Sequence, residues 1–171
     1  DAIGKDDFRK AMLDIMKQHK MEKVVAMSYS MGSRFNLAMA ECLPEALRAM
    51  IVMAPDGVLR FTWNRIATTT APGHWLFRQF VFREGFYQAL FRLLYKVGIL
   101  TKSLYSFSKW YMRDRAARVK VYDTWMMMRK LQPDLDLVNR HQQQFGFPVT
   151  AYFGVHDTVI QPRAAKRFQA K

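Results

Sequence analysis

The first sixty residues switch between two hydrophobic periods. Phe8, Met12, Ile15 and Met16 recur at helical spacing behind the acidic Asp6 and Asp7, which predicts a helix from Asp7 through His19. Lys23–Ser28 then reads as a short buried strand, Met31–Cys42 as a second helix ended near Pro44, and Ala49–Ala54 as a second buried strand. Pro55-Asp56-Gly57 stops that strand with strong turn chemistry. Strand, helix and strand at this spacing predict a parallel βαβ unit with a right-handed crossover, in a sheet covered on both faces. A third strand, Val149–Phe153, follows Pro148 and ends in Gly154-Val155-His156-Asp157, and Arg163–Ala170 starts another helix.

Between the second and third strands lie about ninety residues, far more than one crossover helix needs. The pattern there is helical, broken at Pro72-Gly73, Gly98, Asp114 and Pro133. The predicted layout is therefore a core at 1–58, a helical cap insertion at 59–145 over the carboxyl ends of the strands, and a return to the core at 146–171. Parallel strands put all their carboxyl ends on one edge. Ser30 and Asp157 are expected to emerge there, two strand spacings apart if the three strands are neighbours, where ligands bind in open α/β sheets.

The junction at Ser28-Tyr29-Ser30-Met31-Gly32 carries the main chemical signal. An apolar strand stops at small residue-Tyr-Ser-Met-Gly and a helical pattern begins at once. This is the reading of a nucleophile elbow, with Ser30 at the tip of a strand-turn-helix and small residues two positions to either side. The Met31 N–H, at the start of the helix, would point at a developing oxyanion. The competing reading makes Ser30 an ordinary helix N-cap.

Composition narrows the class. Of 171 residues, 50% are hydrophobic and 14% aromatic, which excludes a disordered chain. No apolar run reaches the length of a membrane span, and residues 1–7 do not read as a signal peptide. The single cysteine, Cys42, permits no disulfide framework and reads as a small core residue, so a cytoplasmic location is expected. The net charge of +13 is uneven: residues 1–59 are balanced, whereas 60–145 hold 15 Lys+Arg against 5 Asp+Glu.

In that segment Trp63, Trp75, Phe77, Arg78, Phe80, Phe82, Arg83, Phe86, Tyr87, Phe91, Arg92 and Tyr95 recur at helical spacing. They predict an amphipathic face packed on a core with solvated arginines, or pocket walls with a cationic rim. The same stripe suits the surface of an anionic membrane. Met126-Met127-Met128 reads as core filler or as an adaptable acyl-binding wall. Nucleic-acid binding is not expected, because the basic residues are dispersed among large apolar ones in no known module. Four scattered histidines and one cysteine show no metal-ligand spacing, and no Gly-rich phosphate loop occurs, so neither metal nor cofactor is expected.

The chain resembles the α/β-hydrolase superfamily, and within it bacterial hydrolases with a helical cap. The resemblance rests on Tyr29-Ser30-Met31-Gly32, Ala54-Pro55-Asp56-Gly57 and Phe153-Gly154-Val155-His156-Asp157-Thr158-Val159-Ile160, with Val121-Tyr122-Asp123-Thr124-Trp125 and Arg129-Lys130-Leu131 in the cap. It implies Ser30 as nucleophile, Asp157 as the acid that orients a histidine, and the Met31 N–H as an oxyanion donor. Asp56 is the rival acid, against its reading as a turn residue.

The implied order is Ser, Asp, His, and no histidine follows Asp157; His19 precedes the elbow, His74 and His141 fall in the cap, and His156 adjoins the acid. The chain is expected to be a central fragment, lacking the N-terminal strands and the C-terminal histidine segment, or else a shortened relative without catalysis. The function implied is hydrolysis of a carboxylic ester or related acyl bond. The alternative is a non-catalytic binding domain whose basic, aromatic cap engages an acidic partner or membrane.

Overall fold

The computed structural model describes residues 2–58, 62–157, 160 and 162–168. Helix α1 (Lys5–Gln18) leads into strand β1 (Val24–Tyr29), and a 3-10 turn (Ser30–Gly32) opens α2 (Ser33–Cys42). Strand β2 (Leu47–Met53) follows. Then come α3 (Thr62–Thr69), α4 (Ala71–Phe82), α5 (Glu84–Lys96), α6 (Lys102–Tyr111), α7 (Arg115–Met127) and α8 (Leu135–Phe145). Strand β3 (Val149–Tyr152) completes the sheet, and Pro162–Phe168 forms a 3-10 helix where an ordinary helix over Arg163–Ala170 is predicted. Ala170 lies outside the described residues, as do Thr158 and Val159 of the late motif.

The protein is α/β, with a three-stranded parallel sheet in the order β1-β2-β3. Met27 pairs with Ile51 and Tyr29 with Met53, while Met53 pairs in turn with Tyr152. The chain divides into two compact units, one over Phe61–Arg129 with the first two residues, the other over Ile3–Arg60 and Lys130–Lys171.

In the sheet unit, α1, α2 and α8 supply the helical side of one core. Met16, Leu37, Met39, Ala40, Met50, Val52, Leu135, Val138 and Phe147 are buried together there, with Phe8 and Met12 packed against them. The α1 stripe is 8, 12, 16 at i, i+4 spacing, which leaves Ile15 exposed although its spacing predicts it in the core.

Helix α8 joins this unit through Leu135 and Val138, so residues 130–145, predicted as part of the insertion, belong to the sheet unit. Its start is fixed by Asp134, whose carboxylate accepts from the Asp136 and Leu137 N–H groups. The Asp134 N–H donates in turn to Glu41, whose side chain is 2% exposed and also pairs with Lys5. One buried carboxylate thus ties α1, α2 and the start of α8 together.

Coverage of both sheet faces, predicted from the parallel βαβ spacing, is not found among the described residues. Ala26, Val52 and Ala151 face the helices, but Val25, Met27, Tyr29 and Tyr152 on the other face are exposed, Tyr29 by 69%. The parallel βαβ spacing does not by itself say what covers the second face, and the five consecutive apolar residues Ala49–Met53 of β2 give no period to correct it.

The helical unit packs α3 on α4, α4 on α5 and α7, and α5 on α6. Thr70, Thr101 and Asp114 cap α4, α6 and α7 through side-chain oxygens. The predicted break at Pro72-Gly73 falls instead at Thr70, and both residues sit in the first turn of α4, where proline costs no hydrogen bond. Gly73 has to be glycine, because a Cβ there would run into the Ile66 carbonyl oxygen.

The buried centre is small: Tyr87, Met112 and Val121, with Phe80, Phe91 and Trp125 alongside. Phe77 is buried as well, and its ring meets those of Tyr122 and Trp125. Part of the predicted aromatic face lies outside this centre, since Trp75 is 63% exposed and Phe82 and Phe86 are also exposed. The side chain of Trp63 lies outside the described residues. Met128 is buried and Met126 and Met127 are half-buried.

Arg118, 2% exposed, holds this unit together where apolar groups are few. Its Nε donates to the Val81 carbonyl at 3.0 Å and its Nη1 to the Met112 carbonyl at 3.4 Å, which closes the ends of α4 and α6. The guanidinium also lies over the Tyr87 ring, 5.8 Å from its centroid.

Two predictions follow from this packing. Arg118→Met leaves both carbonyls without a donor and should lower stability by about 2–4 kcal/mol in urea unfolding, and Arg118→Lys, which lacks the planar fork, should recover less than half of that. A loss under about 0.5 kcal/mol would contradict the role given to Arg118. The Ala117 N–H, donating to Asp114, holds that carboxyl below its usual range, with Arg113 adding to the effect. The stabilisation is therefore present above the unfolded-state value and lost as pH falls through the lower folded one. Asp114→Asn keeps the cap and should remove this acid dependence from the thermal midpoint.

Candidate active site at the carboxyl edge of the sheet

All three strands release their chains at one edge: β1 into Ser30, β2 into Ala54-Pro55-Asp56, and β3 into Gly154-Val155-His156-Asp157. The Ser30 and Asp157 loops leave strands two spacings apart, roughly 10 Å. Tyr29 is extended (φ −125°, ψ 138°), Ser30 turns into the left-handed region with φ 50°, and Gly32 is already helical at φ −59°. An ordinary N-cap keeps an extended backbone, so the cap reading of Ser30 does not fit this turn. A side chain in this conformation costs about 1–2 kcal/mol, which the surroundings must offset.

Four contacts hold the turn. The Ser30 carbonyl accepts from the Ser33 N–H, closing the 3-10 turn, and from the Asp56 N–H at 3.1 Å, which ties the elbow to the loop after β2. That loop is anchored by an ion pair between Arg34 Nε and Asp56 Oδ2 at 2.7 Å, with side chains 6% and 17% exposed. Asp56 Oδ1 accepts the Gly57 N–H at 2.8 Å.

Gly57 adopts φ 94°, and a Cβ on it would lie 2.9 Å from Pro133 Cγ and 3.3 Å from Arg34 Cγ, so only glycine fits. Asp56 is thus a clamp for the serine turn, its carboxylate committed to Arg34 and to its own turn. The sequence offered no signal for Arg34, because its partner stands 22 positions away.

The small residues flanking Ser30 play unequal parts. The Ser28 hydroxyl donates to Ser33 Oγ at 3.1 Å, so serine here bonds the strand to the first turn of α2. A Cβ at Gly32 would meet Ser28 Cβ at an ordinary 3.7 Å, and its φ is unstrained, so alanine fits that position.

Asp157 is half-buried, its N–H donates to the Gly154 carbonyl, and its Oδ1 accepts from the Ile160 N–H at 2.8 Å. Met31, half-buried, follows Ser30 within the 3-10 turn, so its N–H belongs to the helix start.

The histidines are dispersed. His19 ends α1 at the opposite edge, about 20 Å from Ser30 along the six residues of β1. His141 Nδ1 donates to the Ala40 carbonyl, near the far end of α2. His74 Nε2 bonds the Tyr122 hydroxyl at 2.6 Å inside the helical unit. His156 is exposed in the turn beside Asp157. Among the described residues, no imidazole is hydrogen-bonded to the Ser30 hydroxyl.

Burial pushes the Cys42 thiol above its ordinary value, which argues against it as a nucleophile. No three of the described His, Cys, Asp and Glu residues converge as metal ligands, and no described helix is long and apolar enough to cross a membrane.

Comparison with known proteins adds no relative: no family model matches the chain, and neither do any curated protein or solved structure.

Removing one member of the Arg34–Asp56 pair should be costly. Arg34→Met or Asp56→Ala is expected to lose about 3 kcal/mol by chemical unfolding, whereas Gly32→Ala should change stability by less than about 0.5 kcal/mol. Equal, small losses at all three positions would remove the clamp.

Proposed function

We propose that the protein is a serine hydrolase of α/β-hydrolase fold, its helical unit serving as a cap, that cleaves a carboxylic ester or related acyl bond through an acyl-enzyme on Ser30. The observation that carries this reading is a serine held left-handed between strand and helix, on the same sheet edge as a half-buried aspartate. Such a turn lifts the hydroxyl clear of both elements and aims the next N–H beside it.

In the proposed reaction, Ser30 Oγ attacks the carbonyl carbon while a base takes its proton. The Met31 N–H donates to the oxyanion, and the alcohol leaves with the proton. Water then attacks the acyl-enzyme with the same base accepting its proton, and Ser30 is regenerated. Asp157 orients the imidazole and stabilises it when charged. The packing of Asp56 against Arg34 supports Asp157 over Asp56 for this role. His19 lies at the opposite edge, His74 and His141 are held in other hydrogen bonds and His156 adjoins the acid itself, so the base, a histidine by the resemblance, is assigned to none of these four.

A fluorophosphonate probe on the intact protein should label the wild type and His156→Ala alike, and Ser30→Ala not at all. Asp157→Ala should lower turnover of a short-chain aryl ester by about 10⁴-fold with the fold retained. Labelling that survives Ser30→Ala, or a folded wild type that takes no label, would overturn the proposal.

A further inference from the structure

Helices α5, α6 and α7 converge on a pocket of about 240 Å³ whose lining includes none of the residues assigned to the serine chemistry. Its floor is Tyr87, Phe91, Tyr105 and the buried Arg118; Glu84, Arg92, Lys109 and Arg113 stand exposed at its mouth. We propose that this pocket is a binding site for a small, multiply charged anion of the phosphate-ester class, independent of the assignment of Ser30.

Charge comes first. Four cations face this pocket against one carboxylate, in a unit whose residues 61–129 hold twelve Lys+Arg and three Asp+Glu. A solvated basic face would spread these charges apart. Here they gather around an opening whose floor is a buried guanidinium; Arg113 is paired with Asp114 and Arg118 lies 3.6 Å from Glu84, whereas among the described residues Arg92 and Lys109 have no ion-pair partner, so an anion entering between them would supply the counter-charge they lack.

Arg118 supplies the specific donor. Nε and Nη1 are spent on the Val81 and Met112 carbonyls, but Nη2 has Glu84 at 3.6 Å, beyond a hydrogen bond. The Glu84 side chain is 60% exposed, so a dianion that enters the pocket can displace it into solvent. Because the backbone carbonyls fix the guanidinium plane, an incoming oxyanion meets a preorganised donor and loses little entropy.

Size and lining narrow the class further. The volume falls below the 300–1,000 Å³ typical of sites for drug-sized ligands, and suits a phosphoryl group with a small organic substituent. The aromatic floor offers that substituent an apolar contact. Burial raises the Tyr87 phenol above its ordinary value, and its hydroxyl stays protonated and donates to the Ser108 carbonyl, so it adds no negative charge.

The test is calorimetric titration of the intact protein with inorganic phosphate and with phenyl phosphate at low ionic strength. One saturable site per chain is expected, tighter for phenyl phosphate. The combined Arg92→Ala, Lys109→Ala variant should bind at least tenfold more weakly with an unchanged thermal midpoint, because both positions are exposed. Lys109→Arg should keep most of the affinity.

Vesicles of phosphatidic acid in phosphatidylcholine separate the two sources of the group. Binding to vesicles and to phenyl phosphate that is lost together in the double variant identifies a lipid headgroup as a source. Binding of phenyl phosphate alone identifies a soluble ester. Absence of saturable binding to either, or binding that the double variant leaves undiminished, overturns the proposal. So does binding confined to a single-stranded oligonucleotide, which would reveal a diffuse polyanion surface.

Discussion

The left-handed turn at Ser30 is the constraint around which the sheet unit is arranged. β1 must end, the chain must reverse into α2, and a residue with a side chain must occupy a backbone conformation that favours glycine. Part of that cost is offset locally, by the Ser33 N–H on the Ser30 carbonyl, and the rest at a distance, by the Asp56 N–H on the same carbonyl and by Arg34, which holds Asp56 from the first turn of α2. The same clamp places the loop after β2 beside the elbow and requires Gly57, packed on Pro133 just ahead of α8. Strain at the serine, the buried ion pair and the register of the following loop therefore form one unit.

Much of this was legible in the chain. The three strands, their shared direction, and the strand-turn-helix at Ser30 follow from apolar runs broken by turn chemistry, and the structure places Ser30 and Asp157 on the expected edge. What was not legible depends on contacts remote in sequence. Asp56 reads as a turn residue or a rival acid until Arg34 is found against it. Residues 130–145 read as part of the insertion, because nothing in their amphipathic pattern says which core Leu135 and Val138 enter; Glu41, 93 positions from Asp134, decides it. The open sheet face was missed for a different reason: two covered faces follow from the parallel βαβ spacing, and the apolar run Ala49–Met53 of the central strand has no period to correct that.

The two units cohere by different means. The sheet unit buries a continuous aliphatic core, and polar contacts such as Glu41 with Lys5 and Asp134 mainly fix which helix goes where. The helical unit has a small aromatic centre and leans on one arginine to close two helix ends. Breaking Arg118 would leave buried carbonyls bare, while removing one core methyl elsewhere would be milder. A buried cation committed to backbone carbonyls on one side, with only the exposed Glu84 carboxylate on the other, also gives that unit a donor that a purely apolar centre would lack.

The most direct measurement is the stability of Ser30→Gly set against Ser30→Ala. At a left-handed position glycine relieves the strain and alanine retains it, so Ser30→Gly should be the more stable by about 1 kcal/mol in reversible unfolding. In an ordinary helical backbone the order reverses, with alanine ahead by about 0.5–1 kcal/mol. The reversed order would mean that Ser30 is not held in the strained turn, and the case for it as a nucleophile would go with it.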